Sequence, residues 1–187
     1  MRRLPRRRLL ALLPFLGVGA WYAGLQWNGN AHTVVPGVLY RSGTLASPDF
    51  AALLGREHIR TVINLRGPQG GVEWYDRERE AALRDGVNYV DLSWSAGREL
   101  TDDMVRRFYE VADSAKGPVL IHCRSGSDRT GLAVALYMAH VLHTGEEVAE
   151  AQLAIRFGHV SIPFLSQAYA MDATFERLEP SLGYLGS

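Results

Sequence analysis

The chain has 187 residues, 47% of them apolar, which suits one packed domain of ordinary size plus an appendage. Its 20 basic and 20 acidic residues cancel, but Arg2, Arg3, Arg6, Arg7 and Arg8 crowd the first eight positions, so the remainder carries 15 basic against 20 acidic residues, a net of −5. An acidic body argues against general nucleic-acid binding, and a single cysteine, Cys123, excludes an internal disulfide.

After the arginines, Leu9 to Leu25 is a run of 17 uncharged residues, and the next charged side chain is Arg41. At about 1.5 Å per residue such a run just spans a bilayer core of about 30 Å. Trp21, Tyr22 and Trp27 suit the interfacial belt, and the basic flank stays on the cytoplasmic side. Residues 1–27 are therefore read as a single-pass membrane anchor that holds the rest of the chain outside the cytoplasm. The alternative is a cleaved signal peptide that releases a secreted or periplasmic domain. The apolar core is long for such a peptide, and Ala20-Trp21-Tyr22-Ala23 lacks the small-x-small cleavage pattern.

Residues 28–37 read as a linker, with Asn28-Gly29-Asn30 and Pro36-Gly37 as turn signals. Val38-Leu39-Tyr40 begins the first strand. Ser47-Pro48-Asp49 opens a helix through Leu54 that stops at Gly55. The β-branched run Thr61 to Leu65 predicts a buried strand, and Gly67 to Gly71 a turn. A charged helix follows from Glu73 to Leu83. Tyr89 to Trp94 alternates at period two, as a half-buried strand does. Thr101-Asp102-Asp103 caps a helix to Ala115. Val119-Leu120-Ile121 is another strand, and Thr130 to His143 a helix apolar on most sides, hence central. Further helices are expected from Gly145 to Phe157 and from Pro163 to Leu178. The fold class is α/β: a small central sheet of about four to five strands flanked by helices, preceded by one N-terminal transmembrane or signal helix.

Between the last strand and the central helix stands His122-Cys123-Arg124-Ser125-Gly126-Ser127-Asp128-Arg129-Thr130-Gly131. Strand, tight loop and helix start together make an anion cradle, with backbone N–H groups and the positive end of the helix dipole facing one point. A cysteine at its base sits in a field that favours the thiolate, the nucleophilic form. The bland reading of a buried cysteine at a strand end is an inert small hydrophobe. Here the strand, the histidine, the glycine, the threonine and the helix coincide with it.

These residues resemble the signature loop of the cysteine-dependent protein tyrosine and dual-specificity phosphatases: His-Cys, five residues, Arg, then Ser or Thr. The resemblance implies the dual-specificity phosphatase fold over residues 38–180 and a hydrolase of phosphomonoesters. Cys123 would attack phosphorus and carry a phosphocysteine. Arg129 would grip two phosphoryl oxygens in a fork that lysine cannot offer. Arg124, Ser125, Gly126 and Ser127 would line the phosphate site, with Gly126 letting the backbone curl. Thr130 would hydrogen-bond the sulfur, and His122 would stabilise the loop. No metal or other cofactor is implied, because the amides and the arginine meet the phosphoryl charge. Tyr40-Arg41-Ser42-Gly43 and Thr61 to Arg66 also look like the opening segments of compact bacterial and fungal members.

The general acid is the open position. The family takes an aspartate some thirty residues before the cysteine. Asp91 lies 32 residues ahead of Cys123, but inside an alternating strand, and Ser95-Ala96-Gly97-Arg98-Glu99, where the acid is expected, holds no aspartate. Asp128, inside the loop, is the preferred candidate; myotubularin-like relatives carry an aspartate there, and a bound dianion would favour its protonated form. Glu99 remains an alternative, whereas Asp102 and Asp103 read as helix-capping residues. The expected partners are a phosphorylated protein or lipid and, through the N-terminal segment, the membrane. Two other classes compete: a sulfurtransferase or arsenate-reductase-like thiol enzyme, and a membrane-tethered phosphate-binding module without turnover.

Overall fold

The computed structural model describes residue 17, residue 19, residues 21–25 and residues 27–184. Most of the predicted anchor lies outside the described residues. Among the described residues no helix is long and apolar enough to cross a membrane.

Five short strands form one sheet: β1 (His32–Val35), β2 (Leu39–Ser42), β3 (Thr61–Asn64), β4 (Asn88–Asp91) and β5 (Val119–His122). Their order is β1-β2-β5-β3-β4, with β1 antiparallel at one edge and the other pairs parallel. β5, which carries the cysteine at its end, is therefore central. Parallel strands covered on both faces read as continuous apolar runs, as Val119-Leu120-Ile121 and Thr61-Val62-Ile63 do. Their side chains alternate between two cores. Leu39, Ile63, Val119 and Ile121 join one core, while Tyr40, Val62 and Leu120 join the other.

The first core is filled by α3 (Asp102–Ser114), α4 (Asp128–His140) and α6 (Tyr169–Leu182); the second by α1 (Ser47–Arg56) and α2 (Glu73–Arg84). From Thr130 to Ala139 every residue of α4 is buried, as its apolar pattern predicts. The Thr101 hydroxyl caps α3 by accepting from the Met104 N–H at 3.3 Å.

The strand expected from Tyr89 to Trp94 is only β4, ending at Asp91, with an isolated bridge at Ser93, and three further boundaries differ from expectation. The predicted linker 28–37 contains β1, an edge strand whose pairing with β2 starts the folded unit earlier. The helix predicted from Gly145 to Phe157 is only α5 (Glu146–Glu150), followed by turns and a short 3₁₀ segment, Ile155–Phe157. The chain breaks there because the Gln152 carbonyl is drawn to buried Arg41, accepting from Nη1 at 2.9 Å. The last helix begins at Tyr169, not Pro163, because Phe164 takes φ +61° and Ile162 to Ser166 forms a hydrogen-bonded turn.

Candidate active site

The loop Cys123–Ser127 leaves the carboxyl end of the central strand, where open α/β sheets bind ligands. Its shape is imposed from β2. Gly126 has φ +73°, and a Cβ there would lie 2.6 Å from the Gly43 nitrogen and 2.8 Å from the Ser42 carbonyl carbon. A Cβ on Gly43 would in turn meet the Arg124 carbonyl oxygen at 2.9 Å. Four consecutive loop carbonyls are held by outside donors. Thr44 Oγ1 donates to Cys123 O at 3.2 Å, and the Thr44 N–H to Arg124 O at 3.0 Å. Asn30 Nδ2 donates to Ser125 O at 2.9 Å, and Arg41 Nη2 to Gly126 O at 2.8 Å. In a trans peptide the N–H points opposite to the C=O. With carbonyls 123 to 126 turned outward, the N–H groups of Arg124, Ser125, Gly126 and Ser127 turn away from those donors. So disposed, these amides can serve an anion, and Cys123 lies buried at the foot of the loop.

Arg129, in the first turn of α4, is pinned at the rim. Its Nη1 donates to Leu65 O at 3.3 Å and to Trp94 O at 3.2 Å. A second cation, Arg66, joins it. Its guanidinium lies 3.5 Å over the Trp74 ring and its Nη1 donates to Thr44 Oγ1 at 2.7 Å. Burial lowers the Arg66 pKa, as do Arg129 and Arg124 against the opposing pull of Glu78. Three crowded cations favour a dianion at this point. The Thr130 hydroxyl, expected on the Cys123 sulfur, instead donates to Ser42 O at 3.4 Å.

The acid candidates separate clearly. Asp91 has the right sequence separation, but both its oxygens are taken: one accepts from Asn64 Nδ2 at 2.8 Å, the other from Tyr75 OH at 2.7 Å. Glu99 lies 3.9 Å from Arg177, Asp102 pairs with Arg177 at 2.6 Å, and Asp103 pairs with Arg106. Asp128 stands beside Arg129 at the helix start, with Oδ1 2.8 Å from Nδ1 of His159.

Beneath the loop lies a buried polar cluster. Glu78 accepts from Tyr89 OH at 2.6 Å and sits 3.4 Å from His122 Nε2. Burial pushes Glu78 up to about 7 and His122 down to about 3. The folded chain therefore keeps a Glu78 proton that the unfolded chain releases, and its stability falls as pH rises from about 4.5 to about 7. His122 acts oppositely: the unfolded chain binds its proton first, so stability rises from about pH 3 to about 6.5. Glu78→Gln is expected to leave stability near pH 4 almost unchanged and to raise it by roughly 3 kcal/mol at pH 8. Urea unfolding at both values checks this; equal shifts at both would show that ionisation of Glu78 is not the cause.

Several residues were not singled out from sequence. Arg41 is fully buried, stacked 3.7 Å over Phe157 and bonded to Gly126 O, Gln152 O and Gln152 Oε1. Asn30 and Thr44 bind loop carbonyls, and His159 and Asp172 sit behind Asp128. The signal that existed was Arg41 itself, a charged residue on the strand Leu39–Ser42, read from sequence only as part of the Tyr40 to Gly43 segment. His159 had none, because its partner is 31 positions away.

The model of the family described as a DSP-PTPase phosphatase fused to NAD+ kinase matches residues 28–167. The dual specificity protein phosphatase TpbA of Pseudomonas aeruginosa is 33% identical over 122 residues, 63% of this chain and 50% of that protein. Human dual specificity protein phosphatase CDC14C is 36% identical over 91 residues, 48% of this chain and 19% of that protein. The chain thus spans half or less of these relatives. A crystal structure of P. aeruginosa TpbA in complex with pTyr superposes with a TM-score of 0.60 at 22% identity, covering 83% of this chain and 91% of that one. The catalytic core of the PP-IP phosphatase SIW14 from S. cerevisiae gives 0.57 at 21% identity, covering 83% and 94%. Fold, signature loop and family model agree, and the chain belongs to this family of dual-specificity-type protein tyrosine phosphatases.

Proposed function

We propose that the chain hydrolyses phosphomonoesters through a phosphocysteine. The observation that carries this reading is the outward tethering of four successive loop carbonyls around a buried Cys123, with Arg129 held at the rim. The amides and the fork of Arg129 take the three non-bridging oxygens. The Cys123 thiolate attacks phosphorus, the S–P bond forms, and the bond to the leaving oxygen breaks as Asp128 gives that oxygen its proton. Asp128, now a carboxylate, then takes a proton from water; the water oxygen bonds phosphorus, the S–P bond breaks, and thiolate and phosphate result.

The substrate class is a dianionic phosphomonoester on a protein, phosphotyrosine above all, or on a lipid. The pTyr complex of TpbA supports the former. The uncharged run Leu9 to Leu25 behind five arginines supports membrane attachment with the catalytic domain outside the cytoplasm. The described part adds exposed aromatic side chains at Trp21, Tyr22 and Trp27, which suit a headgroup boundary.

The test is acid quenching of full-length protein during turnover of a ³²P-labelled aryl phosphate, followed by peptide mapping. Label on the Cys123 peptide, unaffected by EDTA, is the expected result. A folded protein that binds vanadate but never carries label would instead support the silent binding module. Transfer of sulfur from thiosulfate to cyanide would support the thiol-transfer class.

A further inference from the structure

The Asp128 carboxylate is not alone. His159 Nδ1 lies 2.8 Å from Asp128 Oδ1, while its Nε2 lies 3.1 and 3.0 Å from the two oxygens of Asp172 on α6. The imidazole is buried, and each carboxylate keeps about a quarter of its side chain exposed. A neutral imidazole has one N–H donor; a ring with a carboxylate on each nitrogen is satisfied only as imidazolium. The backbone brings it there deliberately close. Gly158, at φ +81°, ends the 3₁₀ segment, and a Cβ on it would meet Ser127 Oγ at 2.9 Å. The segment that carries His159 is thus fitted against the signature loop itself.

We propose that His159, backed by Asp172, is the positioning residue for the loop acid: it holds Asp128 at the cradle and stabilises the carboxylate left when the proton passes to the leaving oxygen. This rests on the reading of Asp128 as that acid. The second carboxylate has a reason. Asp128 alternates between acid and anion in each cycle, so it cannot keep the imidazole charged by itself; Asp172, which does not cycle, can. Proton balance is kept throughout. The proton given up comes from Asp128 and returns from water in the second step, while both N–H protons of His159 stay in place.

Among the described residues, the charged groups acting on His159 are these two, Asp128 from α4 and Asp172 from α6, and Ser161 of its own loop bonds Asp172. Burial lowers the His159 pKa, but the two carboxylates outweigh burial and hold it at about 9.

The test compares the full chain with His159→Gln, Asp172→Asn and Asp128→Asn on 4-nitrophenyl phosphate and on phenyl phosphate, whose leaving group needs the acid more. Loss of the cation makes Asp128 a weaker acid. His159→Gln is expected to lower kcat about tenfold or more on phenyl phosphate, part of the 10²–10⁴-fold that general acids supply, with a much smaller loss on 4-nitrophenyl phosphate. The pH above which kcat/KM falls moves upward. Asp172→Asn, at the rim, moves both readouts the same way by less and covers the case in which the buried substitution fails to fold. Equal losses on both substrates with an unmoved pH limb in both variants would overturn the proposal and leave His159 as a structural tie. If Asp128→Asn itself shows no leaving-group dependence, the loop-acid reading falls and takes this proposal with it. Dependence in Asp128→Asn alone would overturn only the role of His159.

Discussion

Cys123→Ser is expected to abolish turnover of aryl phosphates while the folded protein still binds phosphate or vanadate, and Arg129→Lys to lower kcat/KM by about 10²–10³-fold. A serine hydroxyl in the same cradle, un-ionised at neutral pH, is a far weaker nucleophile than a thiolate. The cradle itself is built from main chain and survives the exchange. Lysine at position 129 keeps the charge but not the fork. The guanidinium can spend one nitrogen on Leu65 O and Trp94 O and still present others to phosphate, whereas an ammonium bonded to those carbonyls has no fixed second face. Steady-state kinetics and vanadate titration check both. Retained turnover in Cys123→Ser would end the phosphocysteine mechanism.

Arg41→Ala should be the most damaging single change away from the chemistry, at about 3–5 kcal/mol of stability with loss of most activity. The side chain is wholly buried, yet among the described residues no carboxylate bonds it; its head group is satisfied by Gln152 and by the Gly126 carbonyl, and its plane by Phe157. Burial pulls its pKa down to about 9. Its removal leaves a void, two or more unpaired acceptors, and a loop freed at Gly126. Urea unfolding gives the stability loss. Arg41→Met, which keeps the volume, should recover part of the packing but not the loop. A stable, active Arg41→Ala would show that the Arg41 tether at Gly126 does not shape the cradle.

Much of this was legible from residue order because it is local. Continuous β-branched runs gave the central strands, Thr101 gave a cap, and the His-Cys to Arg-Thr run gave the loop with its helix. β1 was not legible. It is a short edge strand framed by Asn-Gly-Asn and Pro-Gly, and its only reason to be extended is β2. The family expectation for the acid pointed toward Asp91 by spacing, but spacing is blind to Asn64 and Tyr75, which occupy that carboxylate from other elements. His159 and Arg41 escaped for the same reason. Their meaning lies in hydrogen bonds 13 to 111 positions apart, which no local pattern encodes.

The facing glycines, Gly43 and Gly126, set a condition on transplantation. Gly126 abuts the main chain of Ser42 and Gly43, and Gly43 that of Arg124 and Ser125, and main chain has no rotamer to yield. The curvature of the Cys123–Ser127 loop is therefore stored in a second segment some eighty positions upstream, as a mould stores a casting. Grafting residues 122–131 onto another parallel sheet would move the reactive groups without the form that aims them. A working graft must carry the Arg41–Thr44 segment as its counterpart, and a substitution at either glycine can be tolerated only when its opposite half is recut.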